Sequence, residues 1–323
     1  MLFINRILIP IKKEIQNLNI NLDKMIGTKN PILYAAAKHL FNEKGKKLRP
    51  VIIFFIAKIT TNDNTIFDKH KRLGEITEII HTASLVHDDV IDDCDKRRGK
   101  NTVHTIFNTK IAVLAGDFLF AQSSWYLANL NNLEVVKIIS KVITDFAEGE
   151  IRQGITNFKT NISINEYIEK SFYKTATLIA CSCKATTILS HCNKNIQDDL
   201  YLYGKHLGLA FQIMDDILDI VSQTDKLGKP AGSDLKNGNI TAPLLFALEE
   251  NPSLIQLINQ EFTNDEDIEY TIDNIKKTRG IQKAKDLAEE HIQLAIQIIH
   301  NRFNCKNSKH LIFISNYIIN RLT

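Results

Sequence analysis

Residues 76–100 read ITEIIHTASLVHDDVIDDCDKRRGK. Ile76, Ile79, Ile80 and Ala83 recur at the three- and four-residue spacing of one helical face, which predicts an α-helix running into the acidic cluster. Five aspartates then fall within positions 88–95, and Lys96, Arg97, Arg98 and Lys100 follow them. Like charges one helical turn apart repel. A helix that ends this way needs compensation, and a multivalent cation would supply it.

The rest of the chain reads the same way. Glycine (13) and proline (6) are scarce in 323 residues, so strand-turn-strand punctuation is nearly absent. Leu287, His291, Leu294, Ala295 and Ile298 form another helical series. Breaks fall near 27–31, 61–68, 95–102, 129–132, 157–165, 222–240 and 301–309, with room for helices between them. No linker or internal period separates them. These features predict one large all-α domain over residues 1–323, with helices around a central cavity.

At 44% hydrophobic and 24% charged residues the composition is that of a globular protein, and a net charge of +3 gives no case for nucleic acid. The longest apolar run, PVIIFFIAKI (50–59), is short and broken by Lys58, so no transmembrane segment is expected. The N-terminus lacks a small-residue cleavage site and is neither Ser- nor Arg-rich, so no presequence is read. Cys94, Cys181, Cys183, Cys192 and Cys305 form no C-x-x-C pair and suggest a reducing compartment. Abundant Ile and Asn suggest an AT-rich genome.

DDVID places Asp88, Asp89 and Asp92 at i, i+1 and i+4, and FQIMDDILDI repeats the pattern with Asp215, Asp216 and Asp219. Asp88 and Asp92 therefore share one face. A solvated acidic face usually intersperses Lys or Arg, whereas these flanks (LV, VI, IM, IL) are apolar. Clusters of carboxylates alone select hard cations, and Mg²⁺ is commonly held by one or two carboxylates plus substrate phosphate. KGKKLRP (44–50) supplies Lys46, Lys47 and Arg49, and KRRGK supplies Arg97 and Arg98; the Arg fork suits diphosphate oxygens. Each basic cluster could instead be a helix-end charge patch. His81, two turns before Asp88 on the same face, could be a core histidine or a substrate contact.

Together GKKLRP, EIIHTASLVHDDVIDD, RRGK, AVLAGDFLF, EGEIRQ, YKTATLI, FQIMDDILD and GKPAGSDLKNGNITAPLL closely resemble the trans-polyprenyl diphosphate synthases, over about residues 40–247. Lys44 and Lys47 stand where Gly and Arg are common, and Ala242 where Leu is common. Lys47 keeps the charge without the bidentate fork and is left out of the site. The resemblance implies an all-α isoprenoid synthase fold, a homodimer, and a transferase that adds isopentenyl diphosphate to an allylic prenyl diphosphate. It implies two or more Mg²⁺ per subunit on Asp88, Asp92 and Asp215, with Asp89, Asp216 and Asp219 assisting. Lys46, Arg49, His81 and Arg98 would hold isopentenyl diphosphate. Arg97, Lys174, Thr175 and Gln212 would hold the allylic substrate, with Lys229 near its diphosphate.

A class I terpene cyclase would need no second diphosphate pocket, so the two basic clusters argue against it. A head-to-head synthase of the squalene type is a further rival, as is a regulatory subunit, although such subunits typically lack intact aspartate motifs. Short-chain members of the family generally place Phe or Tyr one turn below the first motif. Here that turn holds Ala83 and Ser84, which points to a long all-trans product of about nine isoprene units for a quinone side chain such as plastoquinone; a geranylgeranyl product is the alternative. The motifs look like those of plastid-encoded prenyl transferases of algae. The expected compartment is a plastid stroma, or else a bacterial cytoplasm.

Overall fold

The computed structural model describes residues 8–41, 47–97, 99–221, 232–303 and 305–320. It is 80% helical, as the periodicity predicts. The main helices are α1 (Lys12–Met25), α2 (Pro31–Phe41), α3 (Leu48–Thr60), α4 (Asp68–Ile91), α5 (Thr109–Ala128), α6 (Leu133–Thr156) and α7 (Ile164–Ser171). A π turn (Phe172–Ala176) follows, then α8 (Thr177–Leu189), α9 (Lys194–Val221), α10 (Ala242–Glu250), α11 (Asp265–Lys277), α12 (Gly280–Arg302) and α13 (Ser308–Ile319). Among the described residues the only strands are β1 (Lys96–Arg97) and β2 (Lys100–Asn101), an antiparallel pair.

Contacts gather in two compact units. One is built on residues 1–143, 178–202 and 298–313, the other on 144–177, 203–297 and 314–323. Helices α6, α9, α12 and α13 each contribute residues to both.

In the first unit α3 and α4 are central. Every residue of α3 from Pro50 to Ala57 is buried, and so are Leu73, Ile76, Ile79, Ile80, Ala83 and Val86 of α4. Each buried Ile or Phe contributes about 1.5–3 kcal/mol. Their packing is close: a Cβ on Gly74 would lie 3.0 Å from the Phe54 ring. The core of the second unit includes Ile220, Leu235, Leu244, Ile258, Ile272 and Ile275. Local signals start several helices. Asn108 accepts the Ile111 N–H at α5, Ser163 and Glu166 form a capping box at α7, and Asn264 accepts the Asp267 N–H at α11.

Among the described residues α5 alone is long and apolar enough, by length and composition, to cross a membrane. Ala112, Ala115, Leu119 and Leu127 are buried, while Val113, Leu114 and Trp125 are exposed. All five cysteines are free.

Buried His70 and half-buried His206 give the fold a pH dependence. His70 accepts the Phe67 N–H at Nδ1 (3.2 Å), so its Nε2 donates to Ser190 Oγ (3.1 Å). Burial pushes its pKa down from 6.5 to about 4. His206 shares one proton with His291 across 2.9 Å, and burial, then His291 and Lys205, push it also to about 4. Both histidines fold neutral, so their contribution is complete above the unfolded value of 6.5 and is lost as pH falls through that window towards 4. Denaturant midpoints should therefore drop between pH 7 and pH 4.5, and replacing His70 and His206 with Gln should flatten that drop. A flat profile in the unaltered protein would contradict the assignment.

Candidate active site

Asp88, Asp89 and Asp92 close α4. Its last turn is intact, with the Asp92 N–H donating to the Asp88 carbonyl at 2.8 Å, and Asp92 is the C-cap. Negative side chains there oppose one another and the negative end of the helix dipole. Asp89 is 2% exposed, and Arg97 Nε donates to its Oδ1 at 2.7 Å. Arg97 comes from the β1–β2 hairpin, whose Gly99 has φ +77°. Asp88 and Asp92 are half-buried.

α5 sets where this end of α4 lies. His87 bonds the Val113 carbonyl at 3.1 Å and lies tilted against the Phe120 ring, and a Cβ on Gly116 would overlap the His87 ring. Arg49 is half-buried in the first turn of α3, and His81 is half-buried on α4. Lys47, at φ +46°, donates to Asn19 of α1, and burial lowers its pKa against the pull of Glu78 and Asp23. Lys46 and Arg98 lie outside the described residues, as does Lys229.

In the second unit α9 carries Gln212, Asp215, Asp216 and Asp219. Asp216 is 2% exposed; its Oδ2 accepts from the Tyr167 hydroxyl at 2.6 Å and its Oδ1 from Gln212 Nε2 at 2.7 Å. Burial, then Asp234, pushes its pKa up to about 7 against Tyr167, Gln212 and Lys170. Buried Asp219 accepts from Ser233 Oγ (3.0 Å) and the Asp234 N–H (3.1 Å). Asp215 is half-buried.

Lys174 and Thr175 sit on the π turn. Lys174 Nζ donates to Gln153 Oε1 at 3.0 Å and pairs with Glu150 Oε1 at 3.0 Å, both on α6. Thr175 Oγ1 donates to Gln212 Oε1. Buried Lys170 donates to Asn239, and burial lowers its pKa. The structure thus brings Thr175, Gln212 and Asp216 into one chain of hydrogen bonds, and Arg97 onto Asp89. Motif reading passed over Tyr167, Lys170, Glu150 and Gln153 as individual site residues; the available signal was that EGEIRQ and YKTATLI travel together.

Among the described residues no three His, Cys, Asp or Glu side chains converge to hold a metal ion by themselves. Half-exposed carboxylates without His or Cys suit a hard cation that keeps open positions for phosphate oxygens or water. A concavity of about 550 Å³ by Pro252, Ile255 and Asn259 is lined by no titratable side chain and is not the site.

Nearly all-helical architecture with two D-D-x-x-D helices defines a protein of the isoprenoid synthase fold. A profile of the polyprenyl synthetase family matches residues 30–275, and the chain belongs to that family. It is 62% identical over 287 residues to a prenyl transferase of Porphyra purpurea, covering 89% of each chain. It is 48% identical over 290 residues to the chloroplastic solanesyl diphosphate synthase 2 of Arabidopsis thaliana, covering 89% of this chain and 70% of that one. The crystal structure of polyprenyl synthase from Caulobacter crescentus, complexed with calcium and isoprenyl diphosphate, superposes with a TM-score of 0.92 at 28% identity, covering 99% and 98% of the two chains. The protein is a chain-elongating prenyltransferase.

Removing one partner of a buried ion pair strands the other charge. Arg97→Ala should therefore destabilise the fold by about 3 kcal/mol, the low end for buried pairs because Arg97 is partly exposed. Asp89→Asn with Arg97→Ala should recover part of that loss. Urea midpoints check both, and an unchanged midpoint for Arg97→Ala would remove the pair from the stabilising contacts.

Proposed function

We propose that the protein makes a long all-trans-polyprenyl diphosphate of about nine isoprene units from isopentenyl diphosphate and an allylic primer, for a quinone side chain such as plastoquinone. The observation that carries the site assignment is the division that the first two aspartates of each motif share. Asp89 and Asp216 are buried and held by protein donors, whereas Asp88, Asp92 and Asp215 are half-exposed. The half-exposed three would bind Mg²⁺, two or more ions per subunit. Mg²⁺ held there would neutralise charge on a departing diphosphate. The calcium and isoprenyl diphosphate of the Caulobacter crescentus structure support a cation and a diphosphate in this fold.

Lys174, Thr175 and Gln212 would orient the allylic diphosphate, with Lys229 nearby and Arg97 contributing charge next to Asp89. Arg49, His81, Lys46 and Arg98 would hold isopentenyl diphosphate. Once the allylic C–O bond breaks, the double bond of isopentenyl diphosphate attacks the cation. The released diphosphate takes the proton that must then leave. The apolar residues flanking both motifs would keep water from the cation.

The continuous helices α6, α9, α12 and α13 favour the reading as one domain. We further infer a homodimer through the exposed Val113, Leu114 and Trp125 of α5; the purified chain should sediment at twice its protomer mass. The work site would be a plastid stroma, or a bacterial cytoplasm, which the chloroplastic Arabidopsis thaliana relative supports and which fractionation of cells expressing a tagged chain would test.

Product length rests on α4. One helical turn and one extended isoprene unit are both about 5 Å, so successive turns measure the growing tail. Ala83 is fully buried and small, and the Ser84 hydroxyl donates to the His81 carbonyl at 2.9 Å. The purified chain with Mg²⁺, isopentenyl diphosphate and a set of primers should give products near forty-five carbons. Ala83→Phe should shorten them while primer consumption continues. Products of fifteen or twenty carbons from the unaltered protein would favour the geranylgeranyl reading, with a stop elsewhere, such as Phe118 or Phe120. No turnover by the chain alone would favour a regulatory subunit.

A further inference from the structure

The π turn at 172–176 is closed by the Thr177 N–H, which reaches back five residues to the Phe172 carbonyl. Such turns are rare and concentrate at functional sites. Two helices hold this one, and they do so with matching stripes. Asp145, Gly149 and Gln153 stand four residues apart on α6, and Gly208, Gln212 and Asp216 stand four apart on α9. Residues at that spacing share a helical face.

In the α6 stripe the polar members take a side chain of the turn and that of Thr177 after it, and in the α9 stripe Gln212 takes Thr175 and is backed by Asp216. Thr177 Oγ1 donates to Asp145 Oδ2 at 2.7 Å, and Lys174 Nζ to Gln153 Oε1 at 3.0 Å. Thr175 donates to Gln212, which in turn donates to Asp216. In each stripe the glycine takes the backbone. A Cβ on Gly208 would lie 2.6 Å from Ala176 Cα, closer than real Cβ atoms approach. A Cβ on Gly149 would lie 3.1 Å from Tyr173 Cβ and 3.3 Å from the Lys174 nitrogen. Glycine inside a helix is a worse helix former than alanine, and both helices carry one where the turn comes nearest.

We propose that Gly208, together with Gly149, is a positioning residue for the allylic diphosphate. The missing Cβ atoms let α9 and α6 close on the π turn, and that closure aims Lys174 and Thr175. This rests on the reading above that those two side chains hold the allylic substrate. Misplacing a substrate-holding group by about 1 Å can cost on the order of 100-fold in rate.

Steady-state kinetics on purified variants test it. Gly208→Ala should raise the primer KM about tenfold or more, with the KM for isopentenyl diphosphate within about twofold, because only the turn carrying the primer contacts is displaced. Gly149→Ala, with longer contacts, should shift the primer KM in the same direction by about threefold. Gly154→Ala on the same helix should change neither constant, since a Cβ there meets no atom within 4 Å. If Gly208→Ala does not fold, Gly149→Ala decides alone. Lys174→Ala separates the two levels. If it raises the primer KM while the folded glycine variants do not, the positioning role is wrong and the site assignment stands. If Lys174→Ala leaves the primer KM unchanged, the assignment fails and the positioning role with it.

Discussion

A carboxylate withdrawn from water needs a donor, and Asp89 and Asp216 impose that requirement on two different parts of the chain. Each belongs to a helix whose aspartates repel one another. Each is almost fully buried, where an unneutralised charge would be strongly unfavourable. The chain answers in two chemistries. Asp89 receives a guanidinium from a short hairpin. Asp216 receives a phenol and an amide, and burial lifts its pKa to about 7. The first solution keeps a full positive charge beside the motif, whereas the second uses neutral donors, with Lys170 close by.

How much of this was legible depends on the range of the interaction that decides each feature. The helices that carry the motifs follow from local periodicity, and α4 ends at Asp92 beside the break expected near 95. The spacing of the two D-D-x-x-D motifs is likewise sequence-local and needed no packing to be seen. The π turn was not legible, because what marks it is the approach of Gly149 and Gly208, which are distant from it in sequence. The hairpin at 96–101 was hidden inside a stretch that reads as a break. Tyr167 looks like any aromatic on an amphipathic helix until Asp216 is seen beneath it.

The same logic explains Lys47. By residue type it belongs with Lys46 and Arg49, and only the sequence departure from Arg argued for setting it apart. In the folded chain its left-handed backbone turns the side chain to Asn19 of α1, where burial lowers its pKa. A member of a cationic cluster in sequence is thus committed by its backbone conformation to a neighbouring helix, which charge counting alone does not reveal.

Groups proposed to meet a cation or a diphosphate have to stay accessible and still point in fixed directions. Pairing each with a buried neighbour solves this. Successive residues on an α-helix point about 100° apart, so locking one direction fixes the next. With Asp89 tied to Arg97, α4 cannot rotate about its axis without breaking that bond, and the directions of Asp88 and Asp92 are set. With Asp216 tied to Tyr167 and Gln212, the direction of Asp215 is set in the same way. The buried second aspartate of each motif, Asp89 or Asp216, is therefore the index, and half-exposed Asp88, Asp92 and Asp215 are what it indexes.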